Sequence, residues 1–277
     1  MELRLSTDPI SFKRMTTEEL RKMYLIESLF VPDTVPLVYS EIDRSITGSA
    51  VPVKSILKLE ANKKEMAADY FTERRELGVF NIGGDGTVTV DGKSYTMTFK
   101  DGLYVGRGSK EITFASAKPE TPAKFYFVSY PAHTAYPTTH IKYADAEHEH
   151  LGSLKTANDR TINRYIHLRG AKSCQLVMGL TELAEGSVWN TMPAHTHQRR
   201  SEVYMYFNLD PDSIVVHIMG TPQETRHLIM RNGQVVLSPI WSVHTGTATQ
   251  NYSFIWAMGG ENQVFNDMDG VPMKELL

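Results

Sequence analysis

Residues 193–207 read PAHTHQRRSEVYMYF, and the spacing of three polar side chains in them decides how the rest of the chain is read. His195 and His197 are two residues apart; on an extended strand they share a face with Cα atoms roughly 6.5–7 Å apart, so both imidazoles can reach one ion. Glu202 follows five residues after His197, and that odd interval would send its carboxylate to the opposite face of an uninterrupted strand. A turn must intervene. QRRS is polar enough to form it, and Glu202 then becomes the first inward residue of a second strand, with Tyr204 and Tyr206 after it on the same face.

Working outward, GQVVLSPIWSVHTGTA (233–248) offers His244 as a fourth ligand. The surrounding tract is a series of strand-length runs, among them SCQLVMGLTEL, SIVVHIMG, RHLIM, QVVLSPI and NYSFIWAMG. An earlier β-rich tract contains GTVTVDG, where Val88 and Val90 alternate with Thr87 and Thr89 before Asp91-Gly92 turns the chain into a hairpin. Near the start, MTTEELRKMYLIESLF reads as a helix capped by Thr16 or Thr17. Glu18 and Glu19 suit its positive end, Leu20, Met23, Tyr24 and Glu27 share a face, and Val31-Pro32 ends it. Between the two tracts, YPTTHIKYADAEHEHLGSLKTANDRT (136–161) is polar and reads as a linker. The chain is thus expected to be all-β with two antiparallel sandwich or barrel lobes, 1–150 and 151–277, and a few short helices near the N-terminus.

Composition narrows the function classes. In 277 residues the net charge is -3, which gives no basic footprint for nucleic acid. No window approaches the ~20 apolar residues of a membrane span, and the opening residues lack an apolar signal core. Cys174 is the single cysteine, so no intramolecular disulfide can form. These features lead to the expectation of a soluble cytoplasmic protein with a small-molecule substrate.

Three imidazoles and one carboxylate suit Zn, Fe, Ni, Cu or Mn, and the absence of thiolate argues against a closed structural zinc site. A second HxH, His148-Glu149-His150, lies in the polar stretch with no acidic residue at the Glu202 interval and no strand-like run after it. It is expected to be a solvated loop.

Gly186, His195-x-His197, four residues and Glu202 resemble the first cupin motif, and Gly233, Pro239 and His244 match fixed points of the second. Trp241 stands where that second motif usually has Gly, and Ala248 where it often has Asn. The resemblance is closer still to the 5-keto-4-deoxyuronate isomerase family. It is carried by NDRTINRYIHLRG, CQLVMGLTELAEGSVWNTMPAHTHQRRSEVYMYFNL, MGTPQETRHLIM and ENQVFNDMDGV, and in the first half by RRELGVFNIGGDGTVTVDG and FYFVSYPAHTAYPTT. It implies a bicupin, a cytoplasmic homohexamer with one zinc per chain on His195, His197, Glu202 and His244. The implied activity is an aldose–ketose isomerisation in pectin or polyuronide breakdown, from 5-dehydro-4-deoxy-D-glucuronate to 3-deoxy-D-glycero-2,5-hexodiulosonate. DGLYVGRGSKEITF has the shape of a second cupin motif with Glu111 at the histidine position and no HxH before it, so the first lobe is expected to lack a metal site.

A uronate brings a carboxylate, which arginine can bind bidentately; Arg160, Arg164, Arg169 and Arg226 are the candidates. For proton transfer the candidates are Glu224 and His227 in PQETRH, with Tyr204 and Tyr206 as hydroxyls near the metal. Transfer through an enediol and a metal-assisted hydride shift both fit the residues. Competing functions are 5-deoxyglucuronate isomerisation, a cupin dioxygenase, and a non-catalytic metal-containing sugar-binding cupin.

Overall fold

A computed structural model describes all 277 residues. The chain is an all-β bicupin: each half builds one seven-stranded and one four-stranded sheet. The first large sheet runs, in spatial order, Glu2–Arg4, Leu37–Ser40, Ile46–Ala50, Phe125–Pro131, Arg75–Asn81, Gly102–Val105 and Thr139–Ile141. Its four-stranded companion is Leu57–Lys58, Ile112–Ser116, Gly86–Val90 and Lys93–Met97. The second large sheet runs Glu147–Leu151, Arg160–Ile166, Val177–Leu183, Ser253–Gly260, Arg200–Phe207, Val235–Ser238 and Leu25–Ile26. Its companion is Trp189–Asn190, Val243–Ala248, Val215–Thr221 and Glu224–Met230.

Local sequence explains several of these elements. Val88 and Val90 are buried while Thr87 and Thr89 are half-buried, and Asp91 and Gly92 both take positive φ, 48° and 82°. Two consecutive left-handed residues are what a tight hairpin turn matching the strand twist requires. The helix spans Thr17–Tyr24, with Thr16 and Glu19 forming a reciprocal capping box. It stops earlier than Val31-Pro32, because Leu25 and Ile26 leave the helix to pair with Val236 and Val235. Glu27, expected on the helix's shared face, is exposed and pairs with Arg21.

The polar stretch after residue 136 is not a linker. Thr139–Ile141 pairs with Gly102–Val105, and Glu147–Leu151 pairs with Arg160–Ile166, so each large sheet gains an edge strand. Edge strands are held by backbone hydrogen bonds along one side and tolerate charged side chains, which is why their composition hid them. His148-Glu149-His150 therefore lies in a strand and not in a solvated loop. The division of the chain is also interleaved. One compact unit holds residues 1–3, 29–146 and 165–177; the other holds 4–28, 147–164 and 178–277. Residues 4–28 go with the second unit because the Leu25–Ile26 strand extends its large sheet. Residues 165–177 go with the first because the Glu76 carboxylate accepts the backbone N–H groups of Cys174, Gln175 and Leu176 at 2.7–2.9 Å.

The first unit packs an apolar core that includes Ile46, Leu77, Val79, Leu103, Val105, Phe114, Phe125 and Phe127. In the second unit the equivalent space is polar where the Arg200–Phe207 strand begins.

Candidate metal centre

Four elements bring the polar cluster together. His195 lies on the two-residue strand His195–Thr196, which pairs with Asp269–Gly270. Gln198 and Arg199 then form the turn, narrower than QRRS because Arg200 and Ser201 already belong to the following strand. Arg199 bonds both Asp267 and Asp269, which anchors that turn. Glu202 sits between Ser238 and Met258 on its two neighbouring strands, and His244 comes from the other sheet, opposite Met219.

The donor atoms of His195, His197, Glu202 and His244 all lie within 4.8 Å of one another, and all four residues are buried. His195 Nε2 is 3.1 Å from His197 Nε2 and 3.0 Å from His244 Nε2. Glu202 Oε2 is 3.1 Å from His197 Nε2 and 2.8 Å from His244 Nε2. The outer ring nitrogens bear on the tautomers. His197 Nδ1 faces the Asp267 carbonyl at 2.7 Å, and His244 Nδ1 faces the Ser242 carbonyl at 3.3 Å. A carbonyl only accepts, so His197 Nδ1 carries the proton and its Nε2 turns a lone pair inward; His244 Nδ1, which also meets Ser238 Oγ at 3.4 Å, does the same when it donates to the Ser242 carbonyl. Those lone pairs meet each other and a carboxylate oxygen. One proton on His195 Nε2 cannot bridge them all, and a cation removes the conflict. Edges of about 3 Å are also those of adjacent ligands about 2.1 Å from a shared ion. The residues therefore fit a metal.

Electrostatics point the same way. Burial, then His244 and His197, push the His195 pKa down to about 2, so it stays a neutral ligand.

A cavity of about 260 Å³ opens on this cluster, lined by His195, Glu202, Thr191, Tyr204, Arg160, Arg164 and Glu149, with Phe254, Trp256 and Phe265 among its apolar walls. Tyr204 places its hydroxyl 3.1 Å from Thr191 Oγ1, and burial pushes its pKa well above the usual tyrosine value. Tyr206 lies deeper on the same strand. Its hydroxyl is 2.7 Å from His217 Nδ1, and it does not line the cavity.

The two arginines of the cavity differ. Arg164 is bound by Glu147 at 3.0 Å and by Glu149, and its guanidinium lies over the Phe265 ring at 4.3 Å. Arg160 donates to the Asn158 carbonyl at 2.9 Å and has no carboxylate partner. Burial pushes the Arg160 pKa down, yet a guanidinium starts so high that it stays charged.

The other candidates lie elsewhere. Arg226 donates to the Met15 carbonyl, Arg169 is exposed in a turn, and Glu224 and His227 are exposed on the edge strand Glu224–Met230. Leu228 and Met230 turn inward from that strand. Its register sends His227 to the solvent side, so PQETRH does not reach the cavity. Sequence reasoning missed Thr191, Glu149 and Asp267 as parts of the site. Glu149 was hidden by its polar neighbours, and the other two lie in loops with no periodic signal.

A sequence model of the KduI/IolB family matches residues 29–272. The chain is 54% identical to the 4-deoxy-L-threo-5-hexosulose-uronate ketol-isomerases of Caldicellulosiruptor bescii and Lachnoclostridium phytofermentans, each over 276 residues and 100% of both chains. It is 52% identical to that of Shigella flexneri over 277 residues, again covering 100% of both. Among solved structures, an IolB-like protein from Salmonella typhimurium LT2 superposes with a TM-score of 0.72 at 13% identity, over 90% of this chain and 96% of that one. The Mn(II)-containing oxalate decarboxylase of Bacillus subtilis gives 0.55 at 11% identity, over 79% and 70%. Those two likenesses concern the fold; the sequence matches span both lobes and enclose all four clustered donors, and the chain belongs to the KduI/IolB family.

Proposed function

We propose that this protein is a ketol-isomerase that converts 5-dehydro-4-deoxy-D-glucuronate, the 4-deoxy-L-threo-5-hexosulose uronate of its relatives' names, to 3-deoxy-D-glycero-2,5-hexodiulosonate in pectin or polyuronide catabolism. The observation that carries the reading is one cavity joining the His195, His197, Glu202 and His244 cluster to the unpaired guanidinium of Arg160. A six-carbon acid with a carboxylate at one end and a carbonyl at the other matches those two ends.

The four clustered residues hold a divalent ion, zinc by family resemblance and one per chain, which when bound supplies Lewis-acid polarisation of a substrate oxygen. Arg160 receives the carboxylate and fixes which end of the molecule faces the cluster. Arg164, already neutralised by Glu147 and Glu149, shapes the wall. Tyr204 stays protonated, and with Thr191 offers hydroxyl donors where oxygens exchange a proton. Phe254, Trp256 and Phe265 limit water beside the reacting carbons. The family resemblance supports a cytoplasmic homohexamer.

The test is a direct assay with the purified uronate, before and after chelation. Turnover that disappears with the metal and returns with zinc is the expected result, with one equivalent per chain by elemental analysis. Normal turnover by folded, metal-free protein would overturn the reading.

A further inference from the structure

The first lobe has a cavity of its own, about 270 Å³, walled by Tyr39, Ile46, Met66 and Phe71 and edged by Arg44, Arg74 and Arg75. Arg75 opens the Arg75–Asn81 strand and is only 9% exposed. Its Nε donates to Ser129 Oγ at 3.1 Å, and its Nη2 donates to the carbonyls of Ser129 and Arg44. Its Nη1 has no protein partner, and no carboxylate pairs with the guanidinium. The neighbouring cation Arg44 has no acidic partner either. Burial, reinforced by Arg44, pushes the Arg75 pKa down to about 10. Arg74 is bound to Glu73, and the one acid on the cavity wall, Glu65, is held by the Met1 amino group at 3.2 Å. With Arg74 matched by Glu73 and Glu65 by the Met1 amino group, Arg44 and Arg75 are the two cations left at the cavity without a counter-charge.

A buried guanidinium without a counter-charge is costly, so a fold that keeps one commonly has a use for it. The second lobe shows the closed alternative. Arg200 stands at the corresponding start of its strand, but its Nη1 donates to the Val264 carbonyl and its Nη2 to those of Phe265 and Asp267. Arg200 also leaves one donor, its Nε, without a partner, but it does not line the second lobe's cavity, whereas Arg75 Nη1 is left free on a residue that lines one.

We propose that the first-lobe cavity is a second, non-catalytic ligand site that binds the oxyanion of a small metabolite, carboxylate or phosphate, against Arg75 and Arg44. Ile46, Met66 and Phe71 would take the carbon portion. Ser129 and the Arg44 carbonyl hold the Nε and Nη2 edge of Arg75, so its Nη1 is the nitrogen left to donate to such a group, with Arg44 supplying a second positive charge.

The experiment titrates full-length, metal-loaded protein with inorganic phosphate and, separately, D-glucuronate by calorimetry. It is done in an Arg160→Gln background so that the catalytic cavity contributes little. Saturable binding at one site per chain is expected, weakened roughly tenfold or more by Arg44→Gln or Arg75→Gln, as loss of a charge-assisted hydrogen bond implies. Arg44→Gln alone, with Arg160 intact, should leave isomerase turnover unchanged. Arg44 is exposed, so its variant keeps the test valid if Arg75→Gln fails to fold. Response to phosphate alone would assign a phosphorylated ligand, and response to glucuronate alone a sugar acid. No saturable binding of either anion, or binding that survives both substitutions in folded protein, would overturn the site. So would a change in sedimenting mass on Arg44→Gln without anion binding, which would make this face a contact between copies.

Discussion

Leu77 and Glu202 stand at the same step of corresponding strands, and that one exchange separates the two lobes. Leu77 lies between Val105 and Ser129; Glu202 lies between Ser238 and Met258. Two residues on, Val79 of the first lobe answers to Tyr204 of the second. The first lobe fills its interior with aliphatic and aromatic side chains, whereas the second keeps three imidazoles and a carboxylate there. One scaffold thus tolerates either a packed interior or a polar one. The polar solution requires every donor to be matched, because an unpaired buried charge costs several kcal/mol. Glu111, at the first lobe's histidine position, instead extends into solvent and pairs with Lys58.

The largest effect is expected from writing the first lobe's residue into the second. Glu202→Leu should abolish metal retention and lower turnover by roughly 10²–10³-fold or more, with the protein still folded. Elemental analysis and kcat measure this; an active, metal-loaded variant would break the comparison. His195→Ala should behave alike.

The reverse probe is Leu77→Ala, which removes apolar volume from a packed interior and should cost about 2–5 kcal/mol of stability. Denaturant unfolding reads the loss, while turnover per folded molecule stays near normal. A collapse in turnover would mean the first lobe takes part in catalysis.

Next come the arginines. Arg160→Gln should lower kcat/KM about 10–100-fold, the worth of a charge-assisted carboxylate contact, and Arg164→Gln should have a smaller effect because Glu147 and Glu149 already occupy it. Equal losses would remove the distinction between them. The smallest change is Thr16→Ala. Loss of that helix cap should cost about 1 kcal/mol, seen as a small fall in the unfolding midpoint with kcat unaltered.

How much of this was legible beforehand follows the range of the forces involved. Turn chemistry and alternation are local, so Asp91-Gly92, a cap at Thr16 or Thr17 and the strand-length runs could be read directly, and the structure places the cap at Thr16. The odd interval between His197 and Glu202 demanded a turn, and Gln198-Arg199 supplies it. Edge strands carry no such signal, since a polar run such as EHEHL pairs through its backbone. Glu149 and the Glu147–Leu151 strand were therefore invisible in composition.

By itself the sequence determined the all-β class and the pairing of His195 and His197 with Glu202 across a turn, because strand parity and short motif spacings are properties of adjacent residues; His244 and the family followed from resemblance along the whole chain. Only the tertiary structure decided which arginine stays unpaired and that Glu224 and His227 face solvent. It alone also brought Thr191 beside Tyr204 and joined residues 4–28 to the second lobe. Those outcomes depend on register between strands far apart in the chain, and on competition among carboxylates for the same cation, which no local pattern records.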